Sequence, residues 1–344
     1  MTALMSPPVT AKAPNHGLGA VRRVSVREMT PEQFASEYRG KEPVVLKGFA
    51  KSLGWSVRRW ADRTALGGLG ATTERPLAQL YTSEGGGHSQ FSSVVVDGGG
   101  VTMRKVGWAE GVDAVFAAAT STPCAQVEGG TLSERARGTA LAIYEPCRCY
   151  LKSALREGDL QDLSRQQPDA LFCFCGVTMP ERSAKVWVGS EGNVTPLHFD
   201  LCHGVIAQVV GRKRVTLFPP SASALMYPFR AGEGPPHSSR VDLDALLFSA
   251  ADSAERAAAQ LRFPMASAAL AERGACGGLQ CDVAPGEALY FPPFWWHHVA
   301  AVDLNVSALL PFDLSSAEQR AAPRPWCQPD WGATGPVETT ESRS

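Results

Sequence analysis

The chain carries almost no net charge. Its 33 basic and 34 acidic residues leave a formal charge of -1, and charged residues make up only 19% of the 344. That balance excludes a strongly basic nucleic-acid binder, while leaving room for a local basic patch. No apolar run approaches the length of a membrane-spanning helix. The N-terminus has no signal-peptide apolar core. It has no acid before Glu28, whereas Lys12, Arg22, Arg23 and Arg27 are basic. Such a stretch suits a disordered tail over residues 1–20, or a weak organelle transit peptide. The nine cysteines are odd in number and scattered, without disulfide-framework spacing. A reducing compartment fits them, so a cytoplasmic or nuclear placement is expected. The pairs Cys147/Cys149 and Cys173/Cys175 are closer together than zinc ligands usually stand. Neither glycine cluster, Gly85 to Gly87 or Gly98 to Gly100, is followed by the Gly-Lys-Ser/Thr of a phosphate loop, so both read as exposed loop or hairpin material.

Hydrophobic residues make up 44% of the chain, enough for a sizeable core. Val24 to Val26, then Thr30-Pro31-Glu32-Gln33, then Pro43 to Gly48 read as strand, helix start and buried strand. Thr30 is the N-cap, Pro31 the first helical residue, and Gln33 the partner of a capping box. Residues 109–119 read as helix. From Lys185 to Phe312 the pattern is mostly β. The strands fall at Val186–Val188, Val205–Val210, Lys213–Phe218, Leu279–Val283, Ala288–Phe291 and within Val299–Leu310. An Ala-rich helical insert interrupts them at 241–274. Many short strands separated by turns predict a mainly β fold with flanking helices, a double-stranded β-helix or jelly-roll barrel of the cupin kind.

Within that region lies Thr195-Pro196-Leu197-His198-Phe199-Asp200. Alternate residues of a strand share a face, so His198 and Asp200 point the same way and Phe199 the other. Downstream, Trp295-Trp296-His297-His298 follows an apolar strand and a proline bend. One imidazole and one carboxylate on a strand, plus a later imidazole, make up the two-histidine, one-carboxylate set that holds non-haem Fe(II) with coordination positions left open. By alternation, Lys213, Val215 and Leu217 share an apolar face that leaves Arg212, Arg214 and Thr216 outside. A lysine buried there needs an anionic partner.

These motifs resemble the JmjC/cupin-like 2-oxoglutarate oxygenases, especially the factor-inhibiting-HIF-type branch. The resemblance rests on Glu191 to Asp200, Ala207 to Arg214, Leu217-Phe218-Pro219-Pro220, Tyr227-Pro228 and the Trp-Trp-His-His segment. It implies an oxygenase domain over 21–312 with its catalytic core at about 185–312, followed by a tail at 313–344. It implies His198, Asp200 and His297 as metal ligands, with His297 preferred over His298. It implies Lys213, Thr195 and Tyr150 as contacts of 2-oxoglutarate. Thr195 and His198 differ in strand parity, which the intervening Pro196 could alter. Two family asparagines are replaced, by Gly204 and near Leu309. His203, beside the triad, would be a polar group at the mouth or a loop histidine.

The activity implied is Fe(II)-, 2-oxoglutarate- and O2-dependent hydroxylation of a protein side chain, with 2-oxoglutarate converted to succinate. An RNA base is the competing substrate, and N-methyl-lysine demethylation is a variant of the same chemistry. A cupin-fold binding protein without turnover is the alternative of another class. The C-terminal segment carries several prolines and predicts no strong helical dimer module; no membrane partner is expected.

Overall fold

The computed structural model describes residues 17–69, 77–83, 89–90, 101–120, 148–155, 184–230, 233–249, 253–272 and 274–322. Its strands, in chain order, are β1 (Gly19–Ala20), β2 (Arg22–Ser25), β3 (Val44–Lys47), β4 (Ala78–Ser83), β5 (Ser89–Gln90), β6 (Val101–Val106), β7 (Arg148–Ala154) and β8 (Lys185–Gly189). They continue as β9 (Asn193–His198), β10 (His203–Val210), β11 (Lys213–Phe218), β12 (Leu279–Val283), β13 (Ala288–Phe291), β14 (Trp296–Ala301) and β15 (Asn305–Phe312). Six strands form one sheet in the order β1-β12-β11-β14-β9-β5, and nine form the other in the order β2-β3-β13-β10-β15-β8-β7-β4-β6. This is the expected jelly-roll of two facing sheets. The described strands do not close it into a continuous hydrogen-bonded barrel, because each sheet keeps its own edges.

Period-two patterning assigns the layers. Ile206, Val215, Leu217, Val283, Leu289, Phe291 and Val299 form the apolar layer between the sheets. The other parity of the nine-stranded sheet (Val205, Ala207, Val306, Ala308, Leu310) packs on Phe34, Tyr38, Phe49, Trp55 and Trp60 of the N-terminal helical turns. The other parity of the six-stranded sheet (Leu197, Phe199, Phe218, Trp296) packs on Leu246, Phe263 and Leu270. Those three come from the Ala-rich segment, whose described helices are Leu243–Leu247, Ala254–Arg262 and Pro264–Ala271. Trp296 is fully buried, and its indole N–H donates to Ser223 Oγ at 2.9 Å.

At the N-terminus, Thr30 Oγ1 accepts from the Gln33 N–H at 3.1 Å, so the backbone half of the expected capping box is made. The helix then widens into a π-turn over Phe34–Tyr38 that keeps both aromatics buried. Gly19–Ala20 pairs in parallel with β12. Among the described residues no helix is long and apolar enough to cross a membrane. The glycine clusters, Cys147, Cys173, Cys175 and residues 323–344 lie outside the described residues.

His203 corrects an expectation: it is neither at the mouth nor in a loop. It opens β10 fully buried, stacked 4.4 Å from the Phe312 ring, with Nδ1 hydrogen-bonded to Tyr290 Oη at 2.9 Å. Its parity is that of the outward-packed residues of β10, which carries it away from the metal side. Its Nε2 lies 3.2 Å from Glu318 Oε1. Glu318 caps the helix Ser316–Ala321 by a full capping box with Ser315 and accepts two bonds from Arg39 at 2.9 Å each. Burial would raise the Glu318 carboxyl, but Arg39 and Ser315 outweigh it and hold it at about 2.

Burial pushes His203 down to about 4 from its usual 6.5. As pH falls through that window the unfolded chain takes up a proton that the folded one refuses, so stability drops. His203→Phe keeps the ring stack and removes this contribution. The urea midpoint of the variant should therefore fall less steeply than wild type between pH 6.5 and 4; equal slopes would show that His203 protonates freely in the fold.

Candidate active site

Strand pairing brings the two halves of the metal motif together. His297 of β14 stands opposite His198 of β9, with ring centroids 4.2 Å apart. One ligand atom from each of His198, Asp200 and His297 lies within 4.8 Å of the others. The imidazoles are pre-oriented. A carbonyl can only accept, so each Nδ1 must donate: His198 to Pro196 O at 2.8 Å and His297 to Trp295 O at 3.0 Å. That fixes the tautomer and leaves both Nε2 lone pairs for a cation. His297 Nε2 is 3.8 Å from Asp200 Oδ2. Burial and the facing His198 push His297 down to about 4, so it is a neutral donor. Burial alone would raise Asp200, but His297, His198, Lys185 and His237 together hold it below its usual value, so it is an anion. Two neutral imidazoles and one carboxylate are a fitting donor set for Fe(II).

The loop before β14 holds this arrangement under backbone strain. Phe294 sits at φ 66, in the left-handed region that a bulky residue rarely adopts. Its N–H donates to Asp200 O at 2.8 Å, tying the loop that delivers His297 to the strand end that delivers Asp200. His298 points to the other face, as alternation requires. It is buried, with Nε2 3.1 Å from Asp244 Oδ2 on the helix Leu243–Leu247.

The parity conflict at Thr195 is resolved by a β-bulge. His297 pairs with His198 and Val299 with Thr195, so between these pairs one residue of β14, His298, opposes two of β9, Pro196 and Leu197. The extra residue returns Thr195 to the face of His198. Thr195 hydrogen-bonds the Tyr150 hydroxyl, which burial nonetheless drives up from its usual value. Tyr150 Oη lies 3.4 Å from Lys213 Nζ. The same ammonium donates to Ser307 Oγ at 2.7 Å. The structure therefore gathers Lys213, Tyr150 and Thr195 around one point and adds Ser307.

Lys213 is only 4% exposed and makes no ion pair among the described residues; burial drives it down to about 7. Arg214, of opposite parity, points outward to Asp282 at 2.8 and 3.0 Å. Beyond Lys213, Asn193 and Asn305 meet over Gly189, each with a buried side-chain oxygen that has no hydrogen-bond partner among the described residues. Lys213 stands opposite Ala301 and Leu217 opposite His297. Those four residues of strand span about 13 Å.

Sequence reading missed Ser307 and His237. Ser307 reaches Lys213 only through strand order, 94 residues away in the chain. His237 lies beside the triad because its carbonyl accepts the Phe199 N–H at 2.9 Å and the adjacent Ser238 bridges His198. Burial, and then the neighbouring His198 imidazole, depress its pKa. Cys202 is not among the residues whose ligand atoms cluster with His198, Asp200 and His297; burial and then Asp200 push its thiol up to about 12.

The replacement at Gly204 has a steric cause. Gly204 pairs with Phe291, and a Cβ at 204 would stand 2.0 Å from Phe291 Cζ. The Phe291 ring instead lies tilted against His297, with centroids 4.4 Å apart and planes at 40°. Leu309 faces the same interior, opposite Ile206 and Lys185. Gly204→Ala should cost about 1–3 kcal/mol of overpacking in chemical denaturation and weaken divalent-metal affinity by tilting His297. Adding Phe291→Leu should recover much of the stability. A neutral Gly204→Ala would mean that Phe291 moves freely.

The Cupin-like domain family model matches residues 31–313. Lysine-specific demethylase JMJ30 of Arabidopsis thaliana is 34% identical over 137 residues, 40% of this chain and 27% of that protein. Lysine-specific demethylase 8 of Xenopus tropicalis is 29% identical over 137 residues, 40% of this chain and 26% of its own length. The matched stretch thus spans about a quarter of each of these relatives. A solved structure described as E. coli ycfD aligns over 84% of this chain and 54% of that one at 15% identity, with a TM-score of 0.40, too low to add to the family match. From its jelly-roll sheets, its His-Asp-His cluster and the match over 31–313, the chain belongs to the cupin-like family of JmjC proteins.

Proposed function

We propose that the protein is an Fe(II)- and 2-oxoglutarate-dependent dioxygenase that hydroxylates a protein side chain. The observation that carries this reading is the pairing of two features on one interior wall. The triad His198, Asp200 and His297 supplies a facial metal set, and the buried ammonium of Lys213, which has no ion pair among the described residues, supplies a seat for an anion. A dicarboxylate suits both: one end toward the metal, the other on Lys213, with Tyr150 and Thr195 beside it. An extended five-carbon diacid together with the stem of the lysine would match the reach between them. When bound, the iron and 2-oxoglutarate together supply the oxidising chemistry, with succinate and CO2 as co-products.

The protein's own residues do the rest. The Nδ1–carbonyl bonds hold both imidazoles in one rotation and one tautomer, so metal binding needs little reorganisation. The Phe294 loop keeps Asp200 and His297 in register. Phe291 and Leu309 exclude water from the inner side, and Lys213, Tyr150, Thr195 and Ser307 orient the co-substrate for a single approach. Demethylation of an N-methyl group is a second reading, favoured by the names of the relatives, and uses the same hydroxylation step.

Two measurements test this reading. With Fe(II), ascorbate and O2, purified protein should form succinate from 2-oxoglutarate. His198→Ala should abolish turnover, and Lys213→Met should raise the 2-oxoglutarate KM by about 10- to 100-fold, the size of a lost charge-assisted contact. Turnover indifferent to both substitutions would remove the assignment of the site.

The second concerns a proton. Lys213 sits at about 7 in the free protein and must be charged to hold a carboxylate. Its value therefore rises on binding, and affinity weakens as pH climbs above 7. At about pH 8.5, calorimetry in buffers of different ionisation enthalpy should show uptake of close to one proton per 2-oxoglutarate. No uptake would mean that Lys213 is already charged or makes no contact.

A further inference from the structure

Four neighbouring strands, β8-β7-β4-β6, form one flank of the nine-stranded sheet. They carry Arg104, Lys105, Arg148, Lys152 and Lys185 and no aspartate or glutamate. In a chain with 33 basic and 34 acidic residues this is a local imbalance. Register shows where the charges point. Lys105 pairs with Gln79, Gln79 with Lys152, Lys152 with Trp187, and Trp187 with Ser307. Directly opposed residues share a face. Ser307 Oγ is bonded to Lys213, so this whole ladder lies on the interior, site-facing side. Lys185 is two residues from Trp187 and shares that face. Arg104 is on the reverse side, paired with Glu110 at 2.8 Å, and Arg148 donates to Gly192 O at 3.2 Å.

Lys105, Lys152 and Lys185 therefore form a row leading to the triad, and none makes an ion pair among the described residues. Lys152 Nζ lies 4.8 Å over the Trp187 ring. Burial and then Lys185 depress Lys152, with Asp200 the one carboxylate opposing them. On the oxygenase reading, Asp200 is a metal ligand. The charges of a divalent cation, Asp200, a dicarboxylate and Lys213 then cancel, and the positive rim is left uncompensated among the described residues.

We infer that this lysine row is the docking face for the prime substrate, and that it takes an acidic polypeptide segment. Aspartate or glutamate carboxylates would lie on Lys105, Lys152 and Lys185 while a neighbouring side chain enters over the triad. This rests on the oxygenase reading and narrows it. The row repels a cationic side chain, which sets this mouth against a methyl-lysine or arginine target. Phosphates would also meet lysines. A nucleic acid is disfavoured because the row holds no free guanidinium, and because the Trp187 ring already has Lys152 over it and Tyr150 at 4.8 Å, leaving poor access for base stacking.

The test is binding without turnover. Full-length protein is loaded with Mn(II) and 2-oxoglutarate, the loading is verified by thermal shift, and it is titrated against short fluorescein-labelled probes read by anisotropy. The probes are a glutamate-rich peptide pool, a matched lysine-rich pool and a single-stranded RNA. The glutamate-rich pool should bind at least about tenfold tighter than either other probe. Lys152→Gln or Lys185→Gln should each lose up to about tenfold, the size of a charge-assisted hydrogen bond. The double variant Lys152→Glu/Lys185→Glu should reverse the order of the two peptide pools. Equal or tighter binding of the lysine-rich pool or the RNA, a preference that survives charge reversal, or no binding of any probe to loaded protein overturns the docking face and leaves the oxygenase reading standing. Failure to load the metal and 2-oxoglutarate overturns both.

Discussion

An ammonium group held inside a sheet sandwich, with no counter-ion among the described residues, is the constraint around which the rest of this site is arranged. Lys213 begins a strand whose same-face neighbours, Val215 and Leu217, are fully buried and apolar. Left alone there, a charge is expensive, and depression of its pKa is the physical expression of that expense. Tyr150 and Ser307 supply neutral oxygens but no negative charge. The fold thus retains an unmet need for an anion at a fixed distance along β11 from the level of His297. A purely structural core would have replaced such a lysine with an apolar residue at little cost.

Strand parity does most of the positioning. Odd residues of β11 face inward and bring Lys213 with them. On β14 the inward set is His297 and Val299, which sends His298 out to Asp244. On β9 the simple alternation would have sent Thr195 away from His198, and one bulge at Pro196–Leu197 corrects it. The same rule, run across β8, β7, β4 and β6, turns scattered lysines into a row. The local strain at Phe294 is confined to the bend that must satisfy both Asp200 and His297.

How much of this was legible in the chain depends on how local each feature is. His198 and Asp200 follow from a two-residue spacing, and the choice of His297 over His298 agrees with the face each presents. The inward lysine was legible because its neighbours on one parity are apolar. Ser307, the lysine ladder and the clash of a Gly204 side chain with Phe291 were not, because each needs to be known which strand lies beside which. His203 was misplaced for a related reason. Its nearness to Asp200 in the chain suggested the mouth, yet the strand it opens turns it to the opposite layer, against Phe312 and Tyr290. The hydrophobic pattern found β2, β3, β8, β10 to β13 and the Ala-rich helical segment, but it did not find β4, β6 or β7, it ran β14 and β15 together, and the separation of the sheets into two sets of edges could not be read from it.

The most direct test of the central claim is anaerobic absorbance on addition of Fe(II) and then 2-oxoglutarate. The account predicts a visible charge-transfer band that requires both, is absent in His198→Ala, and in Lys213→Met forms only at much higher 2-oxoglutarate. Absence of any band from folded wild-type protein, or a band that neither substitution alters, would contradict it.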